Sequence, residues 1–280
     1  MKFTPRALSG NVNVSSSHPL AELAWLIGGL TTLLIAVYLA LWLASELLAP
    51  RVSMAVEVWA GQQLLKQTRH TVNPALQQRL KALLATLPSD SSLHRYDFSV
   101  SVMENREINA LALPGGHIVV FSGLLQEIRS ENELAMVLGH EMGHYARRDH
   151  LRGLGRGLGA TLLMATLFGQ DSRAAGIASR IFSGLEMRYS QKQETAADAF
   201  GLQLLNARYG HTGGASDFFS RLADRSGGRF SYLLASHPHP QDRIDSLQRQ
   251  VAAAGYRVAE TVPLQGVDLL NERAPSGPPA

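Results

Sequence analysis

The chain has 280 residues, enough for one large domain or two small ones, with 45% hydrophobic residues and a formal net charge of only +3. It has no cysteine, which excludes disulfides, thiolate metal sites and a cysteine nucleophile. Lys and Arg are scattered rather than massed beside aromatics, so no nucleic-acid partner is expected although the pI is about 9.3.

Residues 1–19 are polar and Ser-rich and read as a flexible tail. Leu23 to Ser45 then runs without a charge between Glu22 and Glu46. As a helix this run spans ~35 Å, enough for a hydrocarbon core of ~30 Å. Trp25 and Trp42 stand near its two ends, where interfacial rings belong. Core helices seldom run this long without charge, and the apolar part of a signal peptide has only ~7–15 residues. The expectation is an uncleaved anchor over 20–49 that meets the lipid bilayer through residues 23–45. Lys2, Arg6 and the free amine precede it, whereas Glu57 partly offsets Arg51, Lys66 and Arg69 beyond it. That bias keeps the tail in the cytoplasm and puts the large domain outside.

Residues 51–87 have helical apolar spacing with a break at Asn73-Pro74. The stretch "YDFSVSVME" alternates, with Phe98, Val100 and Val102 on one face, and reads as a strand. "EINALALPGGHIVVFSG" reads as strand, turn, strand, with Pro114-Gly115 suited to the centre of a type II turn. A helix starts near Ser130, since Ser130 and Glu133 have capping-box spacing before the stripe Leu134, Val137, Leu138. Residues 153–169 are Gly-rich and apolar, and the uncharged part after Arg156 is short for a second span. A buried or re-entrant segment is expected there. Residues 185–207 read as another helix, and "ERAPSGPPA" reads as a tail that need not fold.

The helix from Ser130 runs into "LGHEMGHYARRDH". His140 and His144 are four apart, so on a helix both imidazoles project from one side and can meet one Zn²⁺. Glu141 is ~100° round from His140, beside the metal, where a general base takes a proton from water. Gly143 permits close approach of another backbone. A metal site needs a third ligand and a group that fixes a histidine tautomer. Glu194 and Asp198 supply both from one face of a helix: one carboxylate can bind the metal and the other can hold a histidine N–H. Ala196, Ala197 and Ala199 around them suit a helix pressed against another.

H-E-M-G-H and E-T-A-A-D, preceded by "NALALPGG" and followed by "SHPHPQDR", resemble the HtpX/Oma-type membrane zinc endopeptidases. These are gluzincins of peptidase family M48, related to BepA and the CAAX prenyl endopeptidases. The resemblance covers roughly residues 50–250. It implies one zinc per chain on His140, His144 and Glu194, with Glu141 as catalytic base and Asp198 orienting His140. Asn109 and Ala110 match the family's active-site edge strand, which binds extended peptide. His237 and Arg243 match H-P-x-x-x-x-R; His237 stabilises the oxyanion or closes the resting site on zinc, and Arg243 holds the loop or the substrate carbonyl or makes a structural salt bridge. His117, His150 and His239 are expected to be structural or solvated.

The expected fold is α+β: a mainly helical zincin domain (50–255) with a small sheet, one transmembrane helix before it and a C-terminal extension (256–280) after it. The resemblance implies cleavage of protein or peptide substrates, in a bacterial-type inner membrane with the domain on the periplasmic side, for membrane or envelope protein quality control. The alternative is a latent peptidase or a non-catalytic scaffold that binds misfolded clients.

Overall fold

A computed structural model describes residues 18–66, 68–169, 189–223, 237 and 240–264. The expected tail up to residue 17, the C-terminal tail from 265 and His239 lie outside these residues.

Helix α1 (Pro19–Leu48) opens with Pro19 at its first position, where a missing N–H leaves no bond unmade. Its N-terminal half is largely exposed: Trp25 is 82% exposed and Leu26 71%. Among the described residues it is the one helix long and apolar enough to cross a membrane. Further on, Leu34, Tyr38, Leu41 and Ser45 form a partly covered stripe at helical spacing. What covers it is α6 (Asp149–Phe168). Gly155 lies against Ser45 and Gly159 against Leu41, so the two helices run antiparallel. Where a buried or re-entrant segment was expected, Gly155 and Gly159 belong to a continuous helix, partly buried, that runs back alongside the apolar part of α1. Arg152 and Arg156 fix the base of this pair through Glu46, at 2.8 and 3.1 Å.

The remaining elements form one layer of helices on a small sheet. Helix α2 (Met54–Lys66) ends earlier than the apolar spacing suggested. A short strand β1 (His70–Val72) follows and pairs antiparallel with β2 (Ser99–Met103). The three-residue strand carries no alternation long enough to read. Asn73 then caps α3 (Pro74–Leu84), its side chain accepting from the Leu76 N–H at 2.9 Å. Gln77 of α3 bonds the Phe98 carbonyl and the Val100 N–H, both at 2.9 Å, and so ties α3 to the sheet.

Strands β3 (Ala110–Leu113) and β4 (His117–Phe121) form the expected hairpin. Gly115 sits at φ +82°, as the third position of a type II turn requires. Strand β4 also pairs parallel with β2, giving the order β1-β2-β4-β3 and leaving β3 as an edge. Helix α4 (Ser122–Glu127) leads to α5 (Glu131–Arg147), the central helix, buried continuously from Asn132 to Tyr145. Ser130 caps α5 as expected, accepting from the Glu133 N–H at 3.1 Å. The return half of the box differs: the Glu133 carboxylate takes the Arg129 N–H and pairs with Arg221.

Helix α7 (Gln191–Tyr209) lies against α5, with α9 (Pro240–Ala254) beside it and α8 (Asp217–Ala223) packed on α9. It begins later than expected because Ser190 and Gln193 make a full capping box. Residues 185–188 lie outside the described residues. The chain from 256 to 264 does not leave the domain. The Val262 carbonyl accepts from the Glu131 N–H and the Val262 N–H donates to Asn132, bracing the start of α5.

One buried node joins α1 to the domain. Arg148, the C-cap of α5, is the one non-glycine residue with positive φ (57°) among the described residues. Its guanidinium donates to the carbonyls of Ala49, Pro50 and Val52, where the chain leaves α1, and to Glu57 at 2.6 Å. His150 donates to the other Glu57 oxygen at 2.8 Å, a structural role as expected. Burial alone raises a carboxyl pKa, but His150 and Arg148 outweigh it and hold Glu57 at about 2. The stability this provides is complete above the unfolded value of ~4.5 and lost as pH falls towards 2. Glu57→Gln leaves Arg148 buried without its counter-charge and should cost about 3 kcal/mol. Denaturation of the solubilised protein should show this loss at neutral pH, and the acid limb between about 4.5 and 2 should flatten.

Candidate metal centre

Helices α5 and α7 touch backbone to backbone. A Cβ on Gly143 would lie 2.8 Å from the Ala197 Cα, and one on Gly139 would lie 3.0 Å from the Gly201 Cα. No side-chain layer fits between them. Residues that project sideways from this seam therefore meet across it: His140 and His144 from α5, Glu194 and Asp198 from α7.

His140, His144, Glu194 and His237 form one buried cluster whose ligand atoms all lie within 4.8 Å of one another. His140 Nε2 is 3.1 Å from His144 Nε2 and 3.3 Å from His237 Nδ1. Glu194 Oε1 is 2.9 Å from His237 Nδ1 and 3.6 Å from His144 Nε2, and Glu194 Oε2 is 3.6 Å from His140 Nε2. Four N/O donors around one tetrahedral ion at ~2.0–2.1 Å have edges of ~3.3 Å. The cluster has that size, and its three imidazole nitrogens face one another with too few protons to satisfy every lone pair. A metal ion fits it.

The outer nitrogens of the two helix histidines are both held. His140 Nδ1 donates to Asp198 Oδ1 at 2.8 Å, and His144 Nδ1 donates to Asp149 Oδ2 at 3.2 Å. Each bond fixes the tautomer that turns Nε2 inward. Burial and the Arg243 charge hold His140 down at about 4, so its ring is neutral. His144 goes the other way. Burial opposes its charge, but hydrogen bonds to Asp149 and Glu194 push it up to about 9. The field around His144 thus favours a positive charge, which a cation supplies. Glu194 lies well below the usual carboxylate range: burial opposes this, and the charges of His237 and Arg243 overcome it.

Glu141 stands at the side of the cluster, 3% exposed, with Oε2 unpartnered among the described residues. Its Oε1 is 3.9 Å from His237 Nε2. Burial raises its pKa, as suits a group that must take up a proton and release it. It borders a cavity of about 20 Å³, shared with Ala110, Val137 and Phe219, with room for about one water.

Arg243 forms a structural salt bridge, the alternative to a role at the loop or the substrate. It donates to both Asp198 oxygens at 2.6 and 3.0 Å, lies 3.2 Å from Glu194 and stacks on Phe219 at 4.1 Å. The net negative charge of two buried carboxylates draws it there. Asn109 is buried and turns its side-chain oxygen to the Ala110 N–H, at the start of the edge strand β3. His117 bonds Ser99 at 2.7 Å, a structural role as expected.

Three contributors were not read from the sequence. Asp149 follows the αL turn at Arg148, and only that turn swings it back to His144. Tyr145 donates to the carbonyls of Leu113 and His117 and pins the β3–β4 hairpin to α5. Tyr189 stacks on the His144 ring at 3.8 Å between centroids. Of the three, only Asp149 had a legible signal, a lone acid one turn beyond the paired histidines.

Residues 72–251 match peptidase family M48. The Escherichia coli metalloprotease LoiP is 26% identical over 68% of this chain and 77% of its own length. The mitochondrial metalloendopeptidase OMA1 of Arabidopsis thaliana is 32% identical over 55% of this chain and 31% of its own length. The beta-barrel assembly-enhancing protease of Escherichia coli is 27% identical over 69% of this chain. The chain spans less than half the length of the last two relatives.

Asp149→Asn should weaken metal affinity by about 10–100-fold, because a neutral amide replaces the carboxylate that orients His144 and raises its basicity. Chelator competition against the wild type reads this directly; unchanged affinity would remove Asp149 from the site.

Proposed function

The chain belongs to peptidase family M48, and from that footing we propose that it is a membrane-anchored zinc endopeptidase that cleaves protein substrates. The observation that carries this reading is the convergence of four donors with tetrahedral edges beside a carboxylate oxygen that has no partner. Three imidazoles and a carboxylate without thiolate suit zinc.

His140, His144 and Glu194 hold the metal, with Asp198 and Asp149 fixing the two helix histidines and Arg243 fixing Asp198. A zinc ion held there lowers the pKa of water from ~16 towards ~7 and polarises a peptide carbonyl. Glu141 takes the proton from water at Oε2 and later delivers it to the leaving amine nitrogen. Ala110, with Asn109 behind it, offers the free edge of β3, to which an extended peptide adds as a further strand.

His237 supports a latent resting state. Its Nδ1 lies within the donor cluster, in the place a fourth ligand takes, and the cluster residues are 0–4% exposed. The ring must withdraw before water and substrate enter. Helix α1 anchors the domain in a bacterial-type inner membrane, with the domain on the periplasmic side as the charges about α1 favour. Quality control of envelope or membrane proteins is the role that fits this placement, in keeping with relatives named for barrel assembly. The rival, a scaffold that only binds misfolded clients, leaves Glu141 without a purpose.

Zinc content and casein cleavage of the same samples test the reading. Glu141→Gln should keep one zinc and lose cleavage; full activity would sink the mechanism. Glu194→Ala should lose the zinc. His237→Ala should keep zinc through three ligands and cleave casein faster than the wild type. A variant no faster than the wild type would count against the latch.

A further inference from the structure

A second cavity, of about 800 Å³, lies where α1, α6 and the start of α7 meet. Its volume is within the ~300–1,000 Å³ of ligand pockets. Tyr38 and Trp42 line it from α1, and Arg147, Arg152, Arg156 and Lys192 line it from the domain. Two acids share the wall. Glu46 pairs with Arg152 and Arg156, and Asp149 also takes Arg152. Arg147 and Lys192 have no ion pair among the described residues, and both are exposed. Among the described residues the lining therefore carries two more positive than negative side chains, and an anion is the complementary ligand.

Its level matters as much as its charge. Tyr38 and Trp42 lie in the last turns of the uncharged run that ends at Ser45, and Glu46 marks where that run gives way to polar sequence. With α1 in a bilayer, the aromatic wall stands at the interface and the cations stand at headgroup height. We propose that this cavity binds the phosphate of an anionic phospholipid headgroup, taken from the leaflet in which α1 ends. The acyl side of the lipid lies along Tyr38 and Trp42, and Arg147 and Lys192 meet the phosphate. The far wall is Tyr189, whose ring lies on His144, so the headgroup sits one ring away from a metal donor. The proposal rests on reading α1 as a membrane anchor.

The test uses the full chain with Trp25→Phe and Trp59→Phe, which leaves Trp42 as the reporter among three tryptophans. The protein is reconstituted in phosphatidylcholine vesicles containing brominated phosphatidylglycerol or brominated phosphatidylcholine, and Trp42 quenching is titrated. Two cations at the phosphate should favour the brominated phosphatidylglycerol by roughly tenfold in apparent affinity. Arg147→Gln with Lys192→Gln should erase the preference, while Arg147→Lys with Lys192→Arg should keep it. Zinc content equal to the parent's shows that each variant is folded. Equal quenching by the two lipids would overturn the proposal, as would a preference that survives in the double Gln variant. Loss of the preference to inorganic phosphate at constant ionic strength would mean a free-anion site and would also overturn it. Vesicle flotation separates the premises. A chain that floats without preference refutes the headgroup site alone, and a chain that does not float refutes the anchor and the site together.

Discussion

The contact on which the rest depends is the bare seam between α5 and α7. Where Gly143 faces Ala197 and Gly139 faces Gly201, nothing thicker than a hydrogen separates the two backbones. Donors placed one turn apart on α5 can then reach an acid in the first turn of α7 with tetrahedral spacing. A single methyl group at Gly143 would have to displace the Ala197 backbone, and the ring-to-carboxylate distances would open with it. The metal site is thus first a packing result and only then a matter of ligand chemistry.

Such a seam brings acids into a water-free place, and the structure answers with charge rather than with solvent. Glu194 and Asp198 share Arg243, Asp149 shares Arg152 with Glu46, and Glu133 takes Arg221. Glu141 alone among these carboxylates keeps an oxygen unpartnered. Removing an acid from water without a partner is costly, so that exception marks where the chemistry is expected, whereas the satisfied acids are scaffolding.

Much of this was legible in the sequence where local rules apply. The paired histidines, the Glu194 and Asp198 spacing, the alanines around them and the Pro114-Gly115 hairpin all follow from helical or turn periodicity. What escaped depends on contacts between distant segments. The short strand β1 exists because β2 offers it an edge. Residues 153–168 lie in a helix packed on α1, a partner more than a hundred residues upstream. Asp149 reaches His144 only through the αL turn at Arg148, and Arg243 finds two carboxylates that a motif match does not locate in space. The return half of the Ser130 box failed for the same reason, since Arg221 competes for Glu133.

Arg148 carries a consequence for how substrates are chosen. It grips the three carbonyls at which the chain leaves α1, and it lies one helical turn beyond His144. The helix that carries the paired histidines is therefore bolted to the exit of α1 with no linker between them. An enzyme on a flexible tether samples many heights above the bilayer, but this one is held at a single altitude. On the proposed reading, such a domain acts as a ruler, selecting a scissile bond by its distance along a stalk from the membrane rather than by the residues that flank it.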